Sequence, residues 1–270
     1  MSKTIRDLMH KGIITCQPTA SLGQVAAILN QHHVHALIVA EKADKPLGII
    51  SDFDLLAGEW ISVDETSLEA MRKMTARDLM TVPVESIEVN TSVDVAAKMM
   101  IEKQIHRMMV IEKGKPIGII SISNFVADIA SQEKAKRESV GDVMSDTFLV
   151  CRDKTTILSA ARTMTQAGWR SIVIVNPDGK PVGVITGNDL MRFVGNTVDE
   201  NITVSDVMNR NLITIDINAT LQQAADIMIR EHKHRVLVVD EKHPESFPLG
   251  VISSFDIVAL MARSGSIWQS

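Results

Sequence analysis

The sequence predicts an α/β (α+β) protein made of four tandem β-α-β-β-α repeats. Three separate features recur in one register and carry that expectation. Each repeat opens with Asp, one apolar residue and Met: Asp7-Leu8-Met9, Asp78-Leu79-Met80, Asp142-Val143-Met144 and Asp206-Val207-Met208. Each closes on a Gly-led apolar run: Gly48-Ile49-Ile50-Ser51, Gly118-Ile119-Ile120-Ser121, Gly183-Val184-Ile185-Thr186 and Gly250-Val251-Ile252-Ser253. Between them, Ala26, Ala97, Ala161 and Ala225 are each followed nine residues later by a base: His35, His106, Arg170 and His234.

Within a repeat the elements follow in order. Gly12-Ile13-Ile14-Thr15 and Leu212-Ile213-Thr214-Ile215 read as short first strands. The helix after them has a start signal. Ser21 with Gln24, and Thr220 with Gln223, fit the capping box, in which each side chain satisfies the other's backbone donor. Leu221, Ala224, Ala225 and Met228 then recur at helical spacing. Met108-Met109-Val110-Ile111 and Ile172-Val173-Ile174-Val175 read as buried strands. The turns Lys113-Gly114-Lys115-Pro116 and Pro177-Asp178-Gly179-Lys180 lead each into the Gly-led strand as a hairpin. A final helix closes the unit.

The repeats are expected at residues 1–60, 72–132, 138–198 and 200–264. A unit of roughly 60 residues buries too little surface to be stable alone, so the repeats should pair. The stretch from Ser131 to Glu138 is the most charged in the chain and reads as the joint between two paired modules. An insert at 57–75, rich in Glu, Asp and Met, adds helix, and its Trp60 and Met71 could cover a neighbouring surface.

Composition narrows the function classes. The net charge is −5, with 28 Lys and Arg against 33 acids and no long basic run, which excludes an extended nucleic-acid surface. No apolar stretch approaches the roughly 20 residues that span a bilayer. The N-terminal MSKTIRDLMH has no apolar core and is not read as a signal peptide. Cys16 and Cys151 cannot build a disulfide framework, so a cytoplasmic protein is expected. With no Tyr and 15 Met, the core must be aliphatic and Met-rich. The sequence carries no Walker A loop, Gly-x-Ser-x-Gly elbow, zinc motif or Gly-x-Gly-x-x-Gly, and the repeats account for the chain, so no enzyme is expected.

The Asp-apolar-Met opening, the element order and the Gly-apolar-apolar-Ser/Thr-x-x-Asp close resemble the cystathionine β-synthase (CBS) domain family, four times over essentially the whole chain. The resemblance implies two paired (Bateman) modules, disc-like together, in an architecture similar to the regulatory subunit of AMP-activated protein kinase. It also implies adenosine-containing ligands in the clefts between paired domains. On that resemblance Ser51, Thr186 and Ser253 would contact phosphate, and Asp54, Asp189 and Asp256, three residues on, the ribose hydroxyls. The second repeat departs: Ser121 is followed by Asn124, which lacks the carboxylate that takes both hydroxyls, so this site is doubtful. His106, Arg107, Arg170, His234 and Arg235 would reach ligand phosphates; the first repeat has His35-Ala36 and so fewer contacts. Thr15, Ser86 and Thr214 would line the adenine pocket, largely through backbone groups.

The chemistry of these residues agrees. A carboxylate is acceptor-only and suits a vicinal diol that offers two donors. A hydroxyl at a helix start sits where backbone N–H groups favour phosphate, and the Arg fork can bind phosphate bidentately. Ser-x-x-Asp before an apolar helix is equally a plain helix cap, and a lone base there is often a surface residue. The two roles are compatible, and repetition in register favours the ligand role. His32, His33 and His35 do not define a tetrahedral metal set, and the two Cys read as small core residues.

The expectation is therefore a regulatory sensor of adenine nucleotides (AMP, ADP or ATP) that signals to a separate effector protein. S-adenosylmethionine or another adenosyl ligand is the alternative, and a non-binding oligomerisation scaffold is the third reading. A homodimer is left open. Binding would favour one orientation of paired domains and so couple to the effector.

Overall fold

A computed structural model describes residues 3–42, 44–60, 73–131, 138–193, 199–242 and 247–263. Among them the mixed α/β repeat appears four times. Each repeat has a short first strand running parallel to a second, which forms an antiparallel hairpin with a third. The first repeat contains β2 (Thr15–Cys16), β3 (Ala36–Lys42) and β4 (Lys45–Ser51). The second contains β5 (Ser86–Glu88), β6 (Arg107–Glu112) and β7 (Lys115–Ser121), with β1 (His10–Lys11) added at its edge. The third contains β8 (Val150–Arg152), β9 (Ser171–Val175) and β10 (Pro181–Thr186). The fourth contains β11 (Thr214–Asp216), β12 (Arg235–Val239) and β13 (Gly250–Ser253).

The local signals act as the sequence predicts. Ser21 N donates to Gln24 Oε1 at 2.9 Å and Gln24 N to Ser21 Oγ at 3.3 Å, so both halves of the capping box form. Thr220 and Gln223 do the same at 2.8 and 3.2 Å. Leu221, Ala224, Ala225 and Met228 are buried on one helix face. Lys113 and Gly114 both have positive φ, 52° and 74°, which matches the twist of the hairpin they close. The first strands begin later than predicted, at Thr15 and Thr214, because only there does the chain run beside the second strand. His10 and Lys11 pair instead with Ile119 and Gly118 of the second repeat.

That pairing belongs to a wider exchange. The Asp-apolar-Met openings form short turns of helix: Ile5–Leu8, Ala76–Leu79, a 3-10 turn Val140–Asp142, and Val204–Val207. Each hydrogen-bonds to the neighbouring repeat. Ile5 N donates to Thr91 O, Ala76 N to Ala20 O, Val140 N to Ala219 O and Val204 N to Thr155 O, at 2.8–2.9 Å. The first and second repeats thus trade openings, as do the third and fourth.

The chain consequently divides into two compact units. One holds residues 1–12, 85–148 and 213–270; the other holds 13–84 and 149–212. In the first unit the helices of the second and fourth repeats share one core, including Met100, Phe125, Ile129, Ala225, Met228 and Ile257. In the second unit the first and third repeats do so, through Leu29, Leu55, Leu56, Met164, Ile172 and Leu190. Burying these faces supplies what a lone repeat lacks. The core is aliphatic and Met-rich, as the composition predicts.

The charged stretch read as a joint lies outside the described residues at 132–137. The segments flanking it both belong to the first unit, so it does not separate compact units. The insert lies outside the described residues at 61–72, Met71 included, and nothing is assigned to the Trp60 side chain. Among the described residues no helix is long and apolar enough to cross a membrane.

Candidate ligand-binding site

In every repeat the hairpin delivers a base, a hydroxyl and a helix start to one end. The Ser or Thr that ends the third strand lies directly opposite the residue after the base: Ala36 with Ser51, Arg107 with Ser121, Ser171 with Thr186, and Arg235 with Ser253. The chain then enters its last helix, which begins at Asp52, Ile122, Gly187 or Ser254. The first amide of that helix donates to the carbonyl of the base. The contacts are Asp52 to His35 at 3.2 Å, Ile122 to His106 at 3.0 Å, Gly187 to Arg170 at 3.2 Å and Ser254 to His234 at 2.9 Å. One otherwise unpaired helix donor is thereby satisfied, and the base is locked beside the helix start.

The aspartates close the helix cap. Asp54 Oδ2 accepts from Ser51 N and Oγ, both at 2.7 Å. Asp189 Oδ2 accepts from Thr186 N at 2.8 Å and Oγ1 at 2.6 Å. Asp256 Oδ2 accepts from Ser253 N at 2.8 Å and Oγ at 2.6 Å. Each carboxylate keeps Oδ1 outside these contacts. Asn124 caps Ser121 in the same way, with Oδ1 accepting from N and Oγ at 2.8 Å. Its amide therefore presents an N–H₂ donor where the aspartates present an acceptor.

Burial pushes the Asp54 carboxyl above the usual range, and the Ser51 hydrogen bonds and nearby Arg170 only partly offset this, while Asp52 adds to it.

Bases also reach between repeats inside each unit. In the second unit the Arg170 guanidinium lies 4.8 Å from the centre of the Phe53 ring, with Nη1 3.9 Å from Asp52 Oδ1. The same carboxylate meets His35 Nδ1 through Oδ2 at 2.9 Å. In the first unit the His106 ring lies 5.2 Å from that of Phe255, which occupies the place of Phe53 in the fourth repeat. The sequence reading passed over Asp52, Phe53 and Phe255. The signal was present as an aromatic two residues after the strand-end Ser in the first and fourth repeats.

Thr15, Ser86 and Thr214 take equivalent registers on the first strands, opposite Ile38, Met109 and Leu237; Val150 stands there in the third repeat. Arg107 and Arg235 open their strands half-buried, while His234 is exposed. Burial pushes the Cys16 thiol up to about 11, and Cys151 rises for the same reason, so neither is an activated nucleophile. Among the described residues no group of three His, Cys, Asp or Glu could hold a metal.

Comparison with known proteins extends this picture. The CBS domain family model matches residues 5–58, 76–131, 140–196 and 204–263. Uncharacterized protein MJ1404 of Methanocaldococcus jannaschii is 25% identical over 97% of this chain, which spans only 62% of that protein's length. Uncharacterized protein MJ1225 of the same organism is 22% identical over 96% of this chain and 99% of its own. The crystal structure of MJ1225, for which archaeal homology to g-AMPK has been suggested, superposes with a TM-score of 0.83 at 20% identity, covering 96% of this chain and 99% of that one. A conserved uncharacterized protein of Pyrococcus horikoshii gives 0.66 at 20% identity over 96% of this chain and 99% of its own.

Proposed function

This chain belongs to the CBS domain family, and we propose that it is a cytoplasmic regulatory sensor of adenine nucleotides that acts on a separate effector protein. One observation carries the reading: the same base, hydroxyl and helix-start geometry forms four times, with a carboxylate in three. Ser51, Thr186 and Ser253 offer hydroxyls to phosphate, and Asp54, Asp189 and Asp256 offer Oδ1 to the ribose diol. Arg107, Arg170 and Arg235 supply positive charge for phosphate, which Arg can bind bidentately, and His106 and His234 offer ring N–H donors to it. Thr15, Ser86 and Thr214 carry the backbone that would read the adenine edge.

The half-buried Asp54 carboxylate supports a ligand role on energetic grounds. A charged acceptor held above its usual pKa gains when two ribose hydroxyls donate to it. Asn124 presents an N–H₂ group instead, and the second repeat is expected to bind the ligand weakly. Regulation follows by linkage, since a ligand that prefers one arrangement of the repeats changes effector affinity by the same factor. The chain is read as a regulator rather than a catalyst, because the repeated site offers diol and phosphate contacts and no activated nucleophile.

The test is calorimetric titration of the protein, shown free of co-purified ligand by mass spectrometry, with AMP, ADP, ATP and S-adenosylmethionine in turn. Saturable binding of an adenine nucleotide at up to three sites is the expected result. Binding of S-adenosylmethionine alone would move the reading to an adenosyl sensor, and no heat from any of them would move it to a scaffold.

A further inference from the structure

Asp52 has no counterpart in the other repeats. The residue after the strand-end hydroxyl is Ile122, Gly187 or Ser254 elsewhere, and only the first repeat puts a carboxylate there. Its side chain is 14% exposed and lies between two bases, His35 Nδ1 at 2.9 Å and Arg170 Nη1 at 3.9 Å. Phe53 holds the Arg170 guanidinium from its ring face at 4.8 Å. Asp52 Oδ1 also accepts from Phe53 N at 2.8 Å, which fixes the carboxylate at the helix start. The three groups come from two repeats of one compact unit and form one cluster.

We propose that Asp52 is a built-in anion that engages the bases of this unit, so that its site disfavours polyphosphate chains and selects adenosyl ligands with one phosphate or none. The inference rests on the nucleotide-sensing reading above and adds a division of labour to it. A phosphate entering between His35 and Arg170 must compete with a carboxylate already seated there. It also meets that carboxylate at short range, and each further phosphate adds repulsion. In the other unit, His106 and His234 stand beside Ile122 and Ser254, which carry no charge. A carboxylate at this position is thus particular to the first repeat.

The test uses the full chain in an Asp189→Asn, Asp256→Asn background, where Asp54 is the one remaining motif carboxylate. ATP and AMP are titrated calorimetrically with and without Asp52→Asn, which keeps the size and the acceptor to Phe53 N but removes the charge. Asp52→Ser, the residue of the fourth repeat, repeats the comparison should the Asn variant not fold. Removal of a like charge about 4 Å from a phosphate is worth at least about fivefold even when water screens it. The expected result is an ATP affinity raised at least about fivefold, with a smaller change for AMP. Equal affinities with and without Asp52 overturn the proposal and leave the nucleotide reading standing. So does loss of all binding in the background while the wild-type chain still binds. No binding of any nucleotide by the wild-type chain overturns both.

Discussion

At the start of each repeat an aspartate closes one turn of chain. Asp7 Oδ2 accepts from Thr4 N at 2.9 Å, Asp78 from Thr75 at 2.7 Å and Asp206 from Thr203 at 2.9 Å, and Asp142 takes the Ser139 hydroxyl at 2.7 Å. The backbone and hydroxyl bonds from Thr4 and Thr75 hold Asp7 and Asp78 below the usual carboxylate range, and the Thr203 hydroxyl and amide do so for Asp206. A depressed folded pKa contributes stability above the unfolded value of 3.8 and loses it as pH falls through the folded one. Asp54, raised by burial, has the opposite sign: its cost is relieved as pH falls from neutrality through its folded pKa. The melting temperature should therefore hold on mild acidification and drop below the ordinary carboxylate range. That acid drop should shrink in an Asp7→Asn, Asp78→Asn, Asp206→Asn variant; an unchanged drop would count against these caps. A second outcome belongs to single residues. Because Asn124 caps Ser121 as the aspartates cap theirs, Asp256→Asn should leave the melting temperature in place. Asp256→Ala should cost about 1 kcal/mol, the usual worth of a helix cap.

At the scale of elements, the Gly that leads each closing strand has a steric reason. An added Cβ at Gly118 would sit 2.2 Å from the carbonyl oxygen of His10, and at Gly250 it would sit 2.4 Å from that of Ser145. At Gly48 the obstacle is the Met80 side chain, with sulfur at 2.5 Å, and at Gly183 it is first the Met208 sulfur at 2.4 Å. At Gly48, Gly183 and Gly250 the Met of an opening motif and the Gly of a closing motif are thus two sides of one contact, made across exchanged repeats, while at Gly118 the backbone just after Met9 takes that place. A backbone strand cannot swing aside as a thioether can. Gly118→Ala should destabilise by about 2 kcal/mol or more, and Gly48→Ala by less. Urea denaturation of the two variants checks this, and equal losses would contradict it. Both motifs were plain in the sequence, and so were the capping boxes and hairpins, because each rests on residues near one another in the chain. The exchange was not legible. Four near-identical copies present four near-identical docking surfaces, and nothing local says which opening meets which Gly.

The same limit explains what was missed in the whole molecule. Hydrophobic periodicity marked Leu221, Ala224, Ala225 and Met228 as one buried face, but not that helix 122–130 of the second repeat packs against it. The compact units join the first repeat with the third and the second with the fourth, so the chain crosses between them near residues 12, 84, 148 and 212, where no charged stretch marks the change. Repetition in the sequence singled out the strand-end hydroxyls and aspartates as ligand residues, and the structure displays their capping role. Asp52 was missed because it breaks the repetition that made its neighbours visible. On the proposed function, three carboxylates do more than cap their helices. The most direct measurement is calorimetric titration with AMP and ATP of wild-type protein and of an Asp54→Asn, Asp189→Asn, Asp256→Asn variant, with melting temperatures taken alongside. Saturable binding by the wild type, loss of it in the variant, and similar melting temperatures for both are expected. A variant that binds as tightly as the wild type would contradict the proposed function.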